Sequence, residues 1–277
     1  MIAPLAYLDT GVPPGAGSRF ETVLFVHGDF SAGTFTWGRQ IGELKERLRI
    51  VSVDRRGHGR TPPAPGRYTI AGDARDLLAT ARSLGIGRAH LVGHSYGALV
   101  ALEATRLSPG LVVSLHLVEA PYLSLLPDDP DVGRLARESA AAKGLPAGTP
   151  PDAVASAFFE AVIGKAAAER LRSHRAWPGI IRDADRLRRE EFAGEYPPLR
   201  LGELAPRPTF VYSGGRSHPG LQKVSAELSR RLRAPHETFP EAGHDVPKSA
   251  ASFTEVLARN VAGAAAEAAV STSPCLR

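Results

Sequence analysis

Residues 93–97 read GHSYG, a serine with a glycine two positions away on each side. A nucleophile on a sharp turn between a strand and a helix is held in a strained backbone conformation, and small neighbours let the two elements approach. An apolar run ends at Gly93 and a helical pattern follows Ser95, which fits such a turn. The turn would raise the serine hydroxyl above the sheet, beside the first amides of the next helix. We therefore predict that Ser95 is a nucleophile; the alternative is a structural serine in a glycine-rich turn.

A nucleophilic serine needs a general base, and His244 is the best candidate. It lies in residues 241–245 (EAGHD), directly after a strand-like segment at 236–239. A histidine has an ordinary pKa near 6.5, which suits proton transfer at neutral pH. His218, on a loop after Ser217, is the competing candidate. The remaining histidines considered lie in a glycine-rich loop, within strands or inside the serine turn: His58, His90, His116 and His94.

Attack on a carbonyl creates an oxyanion, which requires at least two preorganised N–H donors. One predicted donor is the amide of Tyr96, directly after the serine, and the other is the amide of Asp29 or Phe30. These two residues follow His-Gly at 27–28, where an apolar run ends. An acidic side chain at position 29 would lie close to developing negative charge, so we expect it to point away or to contact substrate. The alternative for the His-Gly pair is an ordinary turn after a strand.

The segments that must position these residues alternate between short apolar runs and amphipathic stretches, which is typical of βαβ units and a largely parallel sheet. Each apolar run ends in polar or glycine-containing sequence, where open α/β sheets place their chemistry. The predicted strands cover 22–26, 49–53, 90–92, 112–118 and 208–212. Helical periodicity predicts helices over 71–84, 96–107, 221–232 and 252–268.

The interval 121–206 lacks strand-like runs and contains helix-like pieces separated by Pro- and Gly-rich breaks. We interpret it as a helical cap inserted into a core made of residues 1–120 and 207–270, with a flexible tail at 271–277. Its helix-like pieces cover 132–143, 153–163, 166–174 and 181–191. Aromatic residues of the cap either line a substrate pocket or form the core of the cap: Tyr122, Phe158, Phe159 and Trp177.

Taken together, these features resemble the α/β-hydrolase superfamily over nearly all the chain outside the cap. The matching pieces are the His-Gly pair at 27–28, residues 54–59 (DRRGHG), the serine turn and Gly243-His244. The resemblance implies a mostly parallel, eight-stranded sheet flanked by helices, and a catalytic triad in the order nucleophile, acid, histidine. Residues 54–59 form a structural loop in that family, so no chemistry is assigned to them.

The acid of this triad departs from the commonest family pattern. Many members carry an aspartate shortly after the strand that matches 208–212, where this chain has Ser217, which cannot hold a charge. Another pattern in the family places the acid after the preceding strand, and here Glu119 ends 112–118. Because a carboxylate fixes the histidine tautomer and stabilises the imidazolium, we predict that Glu119 is the acid. The alternative is that Glu119 only braces the cap while a Ser–His dyad works with water or Ser217. Asp245 is adjacent to His244 in the chain and is therefore poorly placed to orient the histidine ring.

Composition excludes several other classes. The chain has 277 residues and a net charge of +5, but its arginines are interspersed with acids, as in 182–191, so we expect no nucleic-acid partner. No apolar run reaches the 18 residues that suggest a membrane span, and the first residues do not read as a signal peptide. The one cysteine, Cys275, allows no internal disulfide, which suits a cytoplasmic location.

These residues predict acyl transfer to water through an acyl-enzyme on an ester, lactone or thioester, with no cofactor and no metal. The expected partner is a small apolar acyl compound. A serine rather than an aspartate nucleophile argues against haloalkane dehalogenase or epoxide hydrolase chemistry, which the family performs with aspartate. Carbon–carbon bond hydrolysis, perhydrolysis and acyl transfer to another alcohol remain open, and so does a non-catalytic receptor on the same fold, which the missing acid after Tyr212 favours.

Overall fold

The computed structural model describes residues 4–17, 20–197, 201, 204 and 207–272. In that part of the chain, seven strands form one sheet in the order β1-β3-β2-β4-β5-β6-β7. Only β1 is antiparallel to its neighbour, β3; the other pairs are parallel. The strands are β1 Tyr7–Asp9, β2 Thr22–Val26, β3 Arg49–Val53, β4 Ala89–His94, β5 Val112–Val118, β6 Thr209–Gly214 and β7 His236–Phe239.

The predicted α/β-hydrolase fold class is confirmed, with one difference in the strand count. The described residues contain seven strands, whereas the resemblance implied eight. The antiparallel strand β1 is only three residues long and lies at the edge of the sheet, beside β3. Such a short edge strand leaves no signal in the sequence, since its side chains are only partly buried.

Helices cover both faces of the sheet, which explains why the parallel strands are apolar at consecutive positions. Along β2, Leu24 and Val26 face one apolar core, while Val23 and Phe25 face the other. The helices outside the interval between β5 and β6 are α1 Gly33–Leu44, α2 Ile70–Ser83, α3 Tyr96–Leu107, α9 Pro219–Leu232, α10 Val246–Ser249 and α11 Phe253–Thr272.

Between β5 and β6 the chain forms a helical insertion, as the sequence predicted for this interval. Its helices are α4 Pro130–Lys143, α5 Pro151–Ile163, α6 Lys165–Arg172, α7 Trp177–Ile180 and α8 Ala184–Arg189. The helix predicted over 181–191 is instead a 3-10 turn, Ile181–Asp183, followed by the short α8. The insertion packs on the core through a third apolar cluster that includes Phe30.

The order of the strands brings the chemically interesting loops together. β2 lies between β3 and β4, so the chain moves in one direction from β2 to β3 and then crosses back over β2 to β4. Open α/β sheets bind ligands at such a reversal. Val26 pairs with Gly93, and His94 pairs with Val118, which pairs with Tyr212. The residues that follow these strand ends must therefore lie side by side at one edge of the sheet.

The end of the chain is described only in part. α11 continues to Thr272, into the tail predicted over 271–277; the rest of that tail, with Cys275, lies outside the described residues, as does Pro206 at the predicted end of the cap. Among the helices that are described, none has both the length and the apolar character needed to cross a bilayer.

Candidate active site

The turn at Ser95 has the strained geometry expected of a nucleophile elbow. Ser95 has φ 53° and ψ −128° between β4 and α3, a conformation that few non-glycine residues adopt. A Cβ on Gly93 would lie 2.3 Å from the Gly97 carbonyl oxygen, and a Cβ on Gly97 would lie 2.5 Å from the Val26 carbonyl oxygen. Glycine is therefore required at both positions for the turn to form.

His244 meets Ser95 at this turn. Its Nε2 lies 3.0 Å from Ser95 Oγ, and its Nδ1 lies 2.9 Å from Glu119 Oε2. An ionised carboxylate only accepts hydrogen bonds, so the contact with Glu119 places the imidazole proton on Nδ1. The Nε2 lone pair then faces the serine hydroxyl. The structure thus brings together the three residues that the sequence predicted as nucleophile, base and acid.

Glu119 is fully buried and has three hydrogen-bond donors around its carboxylate. The amide of Gly214 donates to Oε1 at 2.6 Å, and the hydroxyl of Ser217 and the imidazole of His244 donate to Oε2. Ser217 therefore contacts Glu119 from the loop where the family resemblance would place an aspartate. Glu119 itself has φ 53°, a second strained position at the same edge of the sheet.

The competing candidates make other contacts. His218 Nδ1 accepts from the amide of Gly220, so this histidine caps the first turn of α9. Asp245 forms an ion pair with Lys248 at 2.8 Å. Neither side chain has a hydrogen bond to Ser95 or His244 in the described part of the chain.

The loop after β2 packs directly against the serine. A Cβ on Gly28 would lie 2.8 Å from Ser95 Cβ, so the absence of a side chain permits this approach. Phe30 has φ 50°, which turns the chain sharply after Asp29. Tyr96 is the first residue of α3, and its amide has no acceptor within the helix. The three predicted oxyanion donors thus lie on the two segments that flank Ser95.

The side chain of Asp29 is held by Arg55. Asp29 Oδ1 accepts from Arg55 Nη2 at 2.6 Å, and the Gly28 carbonyl accepts from the same nitrogen at 3.1 Å. The Arg55 guanidinium also lies 4.6 Å from the centre of the Tyr96 ring. Arg55 therefore fixes the residues on both sides of Ser95, and the carboxylate of Asp29 has a counter-charge.

Arg55 also joins the core to the helical insertion. Its Nη1 donates to Asp73 of α2 at 2.9 Å and to Glu190, after α8, at 2.7 Å. The side chain is only 1% exposed. Arg55 lies in residues 54–59, a loop for which the sequence predicted no chemistry. A buried arginine gives no signal in a sequence, because its partners come from distant segments.

The acids around Arg55 differ in their affinity for protons. Burial, together with the nearby charge of Glu190, raises the pKa of Asp29 to about 7. Burial acts in the same direction on Glu190, but the Arg186 and Arg55 charges outweigh it and lower the pKa of Glu190 to about 2. Asp29 therefore holds a proton more readily than an ordinary aspartate, and protonation would reduce the negative charge beside Ser95.

One group of side chains has metal-ligand spacing among the described residues: Asp29, His58 and Glu190 lie within 4.8 Å of one another. Arg55 contacts all three, with its guanidinium nitrogens 2.6, 3.2 and 2.7 Å from Asp29, His58 and Glu190. The guanidinium already supplies the positive charge at this position, so the group fits an ion-pair network better than a metal site.

A cavity of about 40 Å³ lies against Ser95 and His244. Much of its wall comes from apolar side chains of the insertion, including Leu135, Phe158 and Leu187, with Lys143 as the cationic member. Burial lowers the pKa of Lys143. Of the aromatic residues considered in the sequence analysis, Phe158 lines this cavity, Phe159 and Trp177 pack in the third apolar cluster, and Tyr122 packs on Tyr196.

His94 supports the loop that carries His244. Its Nε2 lies 2.8 Å from the His244 carbonyl oxygen, to which it donates. Burial and the nearby His244 lower the pKa of His94 to about 4. Between pH 6.5 and 4 the unfolded chain therefore binds a proton at His94, whereas the folded protein does not. The free energy of unfolding consequently falls as the pH is lowered through this range.

We expect the free energy of unfolding to fall less steeply between pH 7 and 4.5 in His94→Gln than in the unchanged protein. The lowered pKa of His94 corresponds to a difference of about 2 kcal/mol between the two proteins in how far the free energy of unfolding falls over this pH range. Urea unfolding at pH 7, 5.5 and 4.5 measures both slopes. Equal slopes in the two proteins would mean that His94 is not held neutral by the fold.

Comparison with known proteins fits this geometry. A family model described as the alpha/beta hydrolase family matches residues 23–256, which is most of the chain. The chain belongs to the alpha/beta hydrolase family. The match runs from β2 to α11 and so includes Ser95, Glu119 and His244.

Individual proteins match this chain either over a short stretch or at low sequence identity. RutD of Variovorax paradoxus, named as a carbamate hydrolase, is 40% identical over 102 residues, which cover 36% of this chain and 38% of that protein. The match therefore spans well under half the length of this curated relative. A solved thermophilic esterase from Thermogutta terrifontis has a TM-score of 0.69 and 23% identity, covering 94% of this chain and 93% of the esterase. The N-acyl homoserine lactone degrading enzyme Est816 has a TM-score of 0.64 and 20% identity, covering 92% and 96%. At these identities the solved structures establish the fold.

Proposed function

We propose that this alpha/beta hydrolase is a serine hydrolase that cleaves a carboxylic ester or a related acyl bond, such as a lactone or thioester, through an acyl-enzyme. The observation that carries the proposal is the continuous contact from Ser95 Oγ to His244 Nε2 at 3.0 Å and from His244 Nδ1 to Glu119 at 2.9 Å. Nucleophile, base and orienting acid are all within hydrogen-bond distance, which is the arrangement that activates a serine hydroxyl.

In the proposed reaction, Ser95 Oγ attacks the carbonyl carbon and its proton passes to His244 Nε2. Glu119 holds the ring and stabilises the imidazolium that forms. The amide of Tyr96, with that of Asp29 or Phe30, donates to the oxyanion. His244 then protonates the leaving group, which departs and leaves the acyl group on Ser95. Water attacks this ester with His244 as base, and the carboxylic acid is released with the serine restored.

We also propose that the segment 121–206 acts as a cap over a core made of residues 1–120 and 207–270. Support comes from the cavity beside Ser95, whose wall combines core residues with Leu135, Phe158 and Leu187 of the insertion. Apolar walls favour an apolar acyl group, since its burial contributes about 25 cal/mol per Å². At about 40 Å³ the cavity is small, so binding of such a substrate requires outward movement of the insertion.

The alternative of a non-catalytic receptor depended on the serine at position 217. Glu119 lies at the neighbouring strand end with its carboxylate on His244, and Ser217 donates to it, which supports the enzyme over the receptor. The names of the relatives fit acyl-bond cleavage: an esterase, a lactone-degrading enzyme and a carbamate hydrolase. The proposed steps need no cofactor.

We expect the protein to hydrolyse short p-nitrophenyl esters and to be labelled by a fluorophosphonate probe, and both signals to disappear in Ser95→Ala. This change removes only the attacking oxygen, so a matched thermal unfolding curve serves as the control for folding. Ser124→Ala, which alters a serine whose hydroxyl donates to the Tyr196 carbonyl, should keep both signals. A folded protein with neither signal would instead support the receptor. A panel of esters, lactones, thioesters and carbamates then identifies the bond.

A further inference from the structure

A second, larger cavity lies beside the catalytic one, with a volume of about 610 Å³. It opens between the loop after β3, the start of α1 and the segment from the end of α6 to α8, and neither Ser95 nor His244 lines it. Phe30 lines this cavity and Phe158 lines the catalytic one, with ring centres 5.1 Å apart. The aromatic pair therefore separates two compartments at the junction of core and insertion. We name the larger compartment the outer cleft.

The floor of the outer cleft is apolar and aromatic. The buried residues Phe30, Tyr68 and Ile180 contribute to it, and the more exposed Phe35 also lines the cleft. Phe30 is 2% exposed and Tyr68 is 6% exposed, so both rings are packed into the protein and present a fixed surface. An apolar floor in an open cavity of this size suits a flat aromatic or acyl body rather than a bare inorganic ion.

The lining of the outer cleft is basic. Five arginines line it, against two acids, Asp183 and Asp185. The arginines are Arg60, Arg175, Arg182, Arg186 and Arg189. Asp183 is already engaged by His58, at 2.7 Å.

Three of these arginines keep charge that no carboxylate pairs with in the described residues. Arg186 is neutralised by Asp73 and Glu190, and Arg60 lies 3.4 Å from Asp54. Arg189, by contrast, donates to the carbonyls of residues 64 and 66, which are neutral.

Arg175 and Arg182 are the most exposed of these three arginines and are the best placed to contact a ligand. Arg182 has a single long hydrogen bond of 3.4 Å to the Gly179 carbonyl. Arg175 is exposed and has no hydrogen bond or ion pair within the part of the chain that the structure describes. Both guanidiniums are therefore free to reorganise around an anion.

We propose that the outer cleft binds a small organic anion, with a phosphate or carboxylate group at Arg175 and Arg182 and an aromatic or acyl body on the floor beside Phe30. The planar guanidinium matches both anions through paired N–H donors, and charge-assisted bonds of this kind are about twice as strong as neutral ones. The floor supplies apolar contact for the rest of the ligand. The site does not depend on hydrolysis at Ser95, because the proposed triad lies in the other compartment.

Calorimetric titration with 1-naphthyl phosphate and with 1-naphthoate tests this site, and naphthalene-1-methanol is the uncharged comparison. We expect at least one of the two anions to bind about tenfold or more tightly than the alcohol, and the stronger of them identifies the preferred anionic group. In the double variant Arg175→Gln with Arg182→Gln, the Kd should rise about tenfold or more. Arg82→Gln, an exposed arginine near the end of α2, should bind like the unchanged protein.

The variant Lys143→Gln distinguishes the two compartments, since Lys143 lines the catalytic cavity. We expect it to leave the affinity for the anionic probe unchanged. The proposal is overturned if Lys143→Gln weakens binding while the double arginine variant does not, because the anion would then occupy the catalytic cavity. Equal affinity for the anions and the alcohol, or no binding of either anion at millimolar concentration, also overturns it.

Discussion

Replacing Glu119 by glutamine is expected to lower kcat for a p-nitrophenyl ester about 10³- to 10⁴-fold. The glutamine keeps the size of the side chain but removes the negative charge that stabilises the imidazolium. Its amide nitrogen can also donate to His244 Nδ1, which would then carry no proton, and the proton would sit on Nε2, where the serine must deliver its own. Steady-state kinetics on the purified variant measure the loss, with thermal unfolding as the check on folding.

The matched control is Ser217→Ala, which removes one donor to Glu119 but leaves the charge in place. We expect it to lower kcat by less than about 100-fold, because a hydrogen bond to a charged group contributes about 1.5–3 kcal/mol and the charge that stabilises the imidazolium remains. Equal losses in the two variants would mean that the loop around Ser217, rather than the carboxylate charge, controls the reaction. An unchanged kcat in Glu119→Gln would remove Glu119 from the proposed triad and favour a dyad.

Replacing Arg55 by methionine is expected to lower the free energy of unfolding by about 3–5 kcal/mol. The change keeps an apolar stem but leaves Asp29, Asp73 and Glu190 buried around the missing guanidinium. Arg186 would remain as a counter-charge for Asp73 and Glu190, but within the described residues it forms no ion pair with Asp29. Urea unfolding monitored by circular dichroism measures the loss.

Arg60→Met is the control for this prediction. Arg60 comes from the same loop, but its side chain is 64% exposed and its contact with Asp54 is 3.4 Å, so the stability change should be within about 1 kcal/mol. Activity measurements distinguish a role in stability from a role in positioning the residues beside Ser95. The fraction of Arg55→Met that remains folded should also have a reduced kcat, since Arg55 holds Asp29 and contacts Tyr96. A stability loss no greater than that of Arg60→Met would contradict the role assigned to the buried network.

The contact between Ser95 and His244 could be predicted because local sequence patterns identify the position of each residue. Backbone atoms lie too close to Gly93 and Gly97 to leave room for a side chain at either position. The two glycines in the sequence therefore indicate the tight turn directly. The alternation of apolar runs and helical patterns likewise places both residues at the carboxyl edge of the sheet. These features need no knowledge of distant contacts.

Other parts of the site could not be derived from local sequence. The choice of Glu119 over Ser217 depended on a family resemblance; the physical reason is that β5 and β6 are neighbours, so residues 119 and 217 end up in contact. The network around Arg55 joins four segments that are far apart in the chain. Phe158 and Phe159 are adjacent on α5, yet of the two only Phe158 lines the cavity beside Ser95, because neighbours on a helix point in different directions.

The most direct measurement is the mass of the protein during turnover. Mixing it with a p-nitrophenyl ester and quenching with acid within milliseconds should give intact protein heavier by one acyl group, and peptide mapping should place that group on Ser95. We expect this species to form with a burst of p-nitrophenol and to be absent in Ser95→Ala. Rapid ester turnover with the acyl group on another residue, or undiminished turnover in Ser95→Ala, would contradict it.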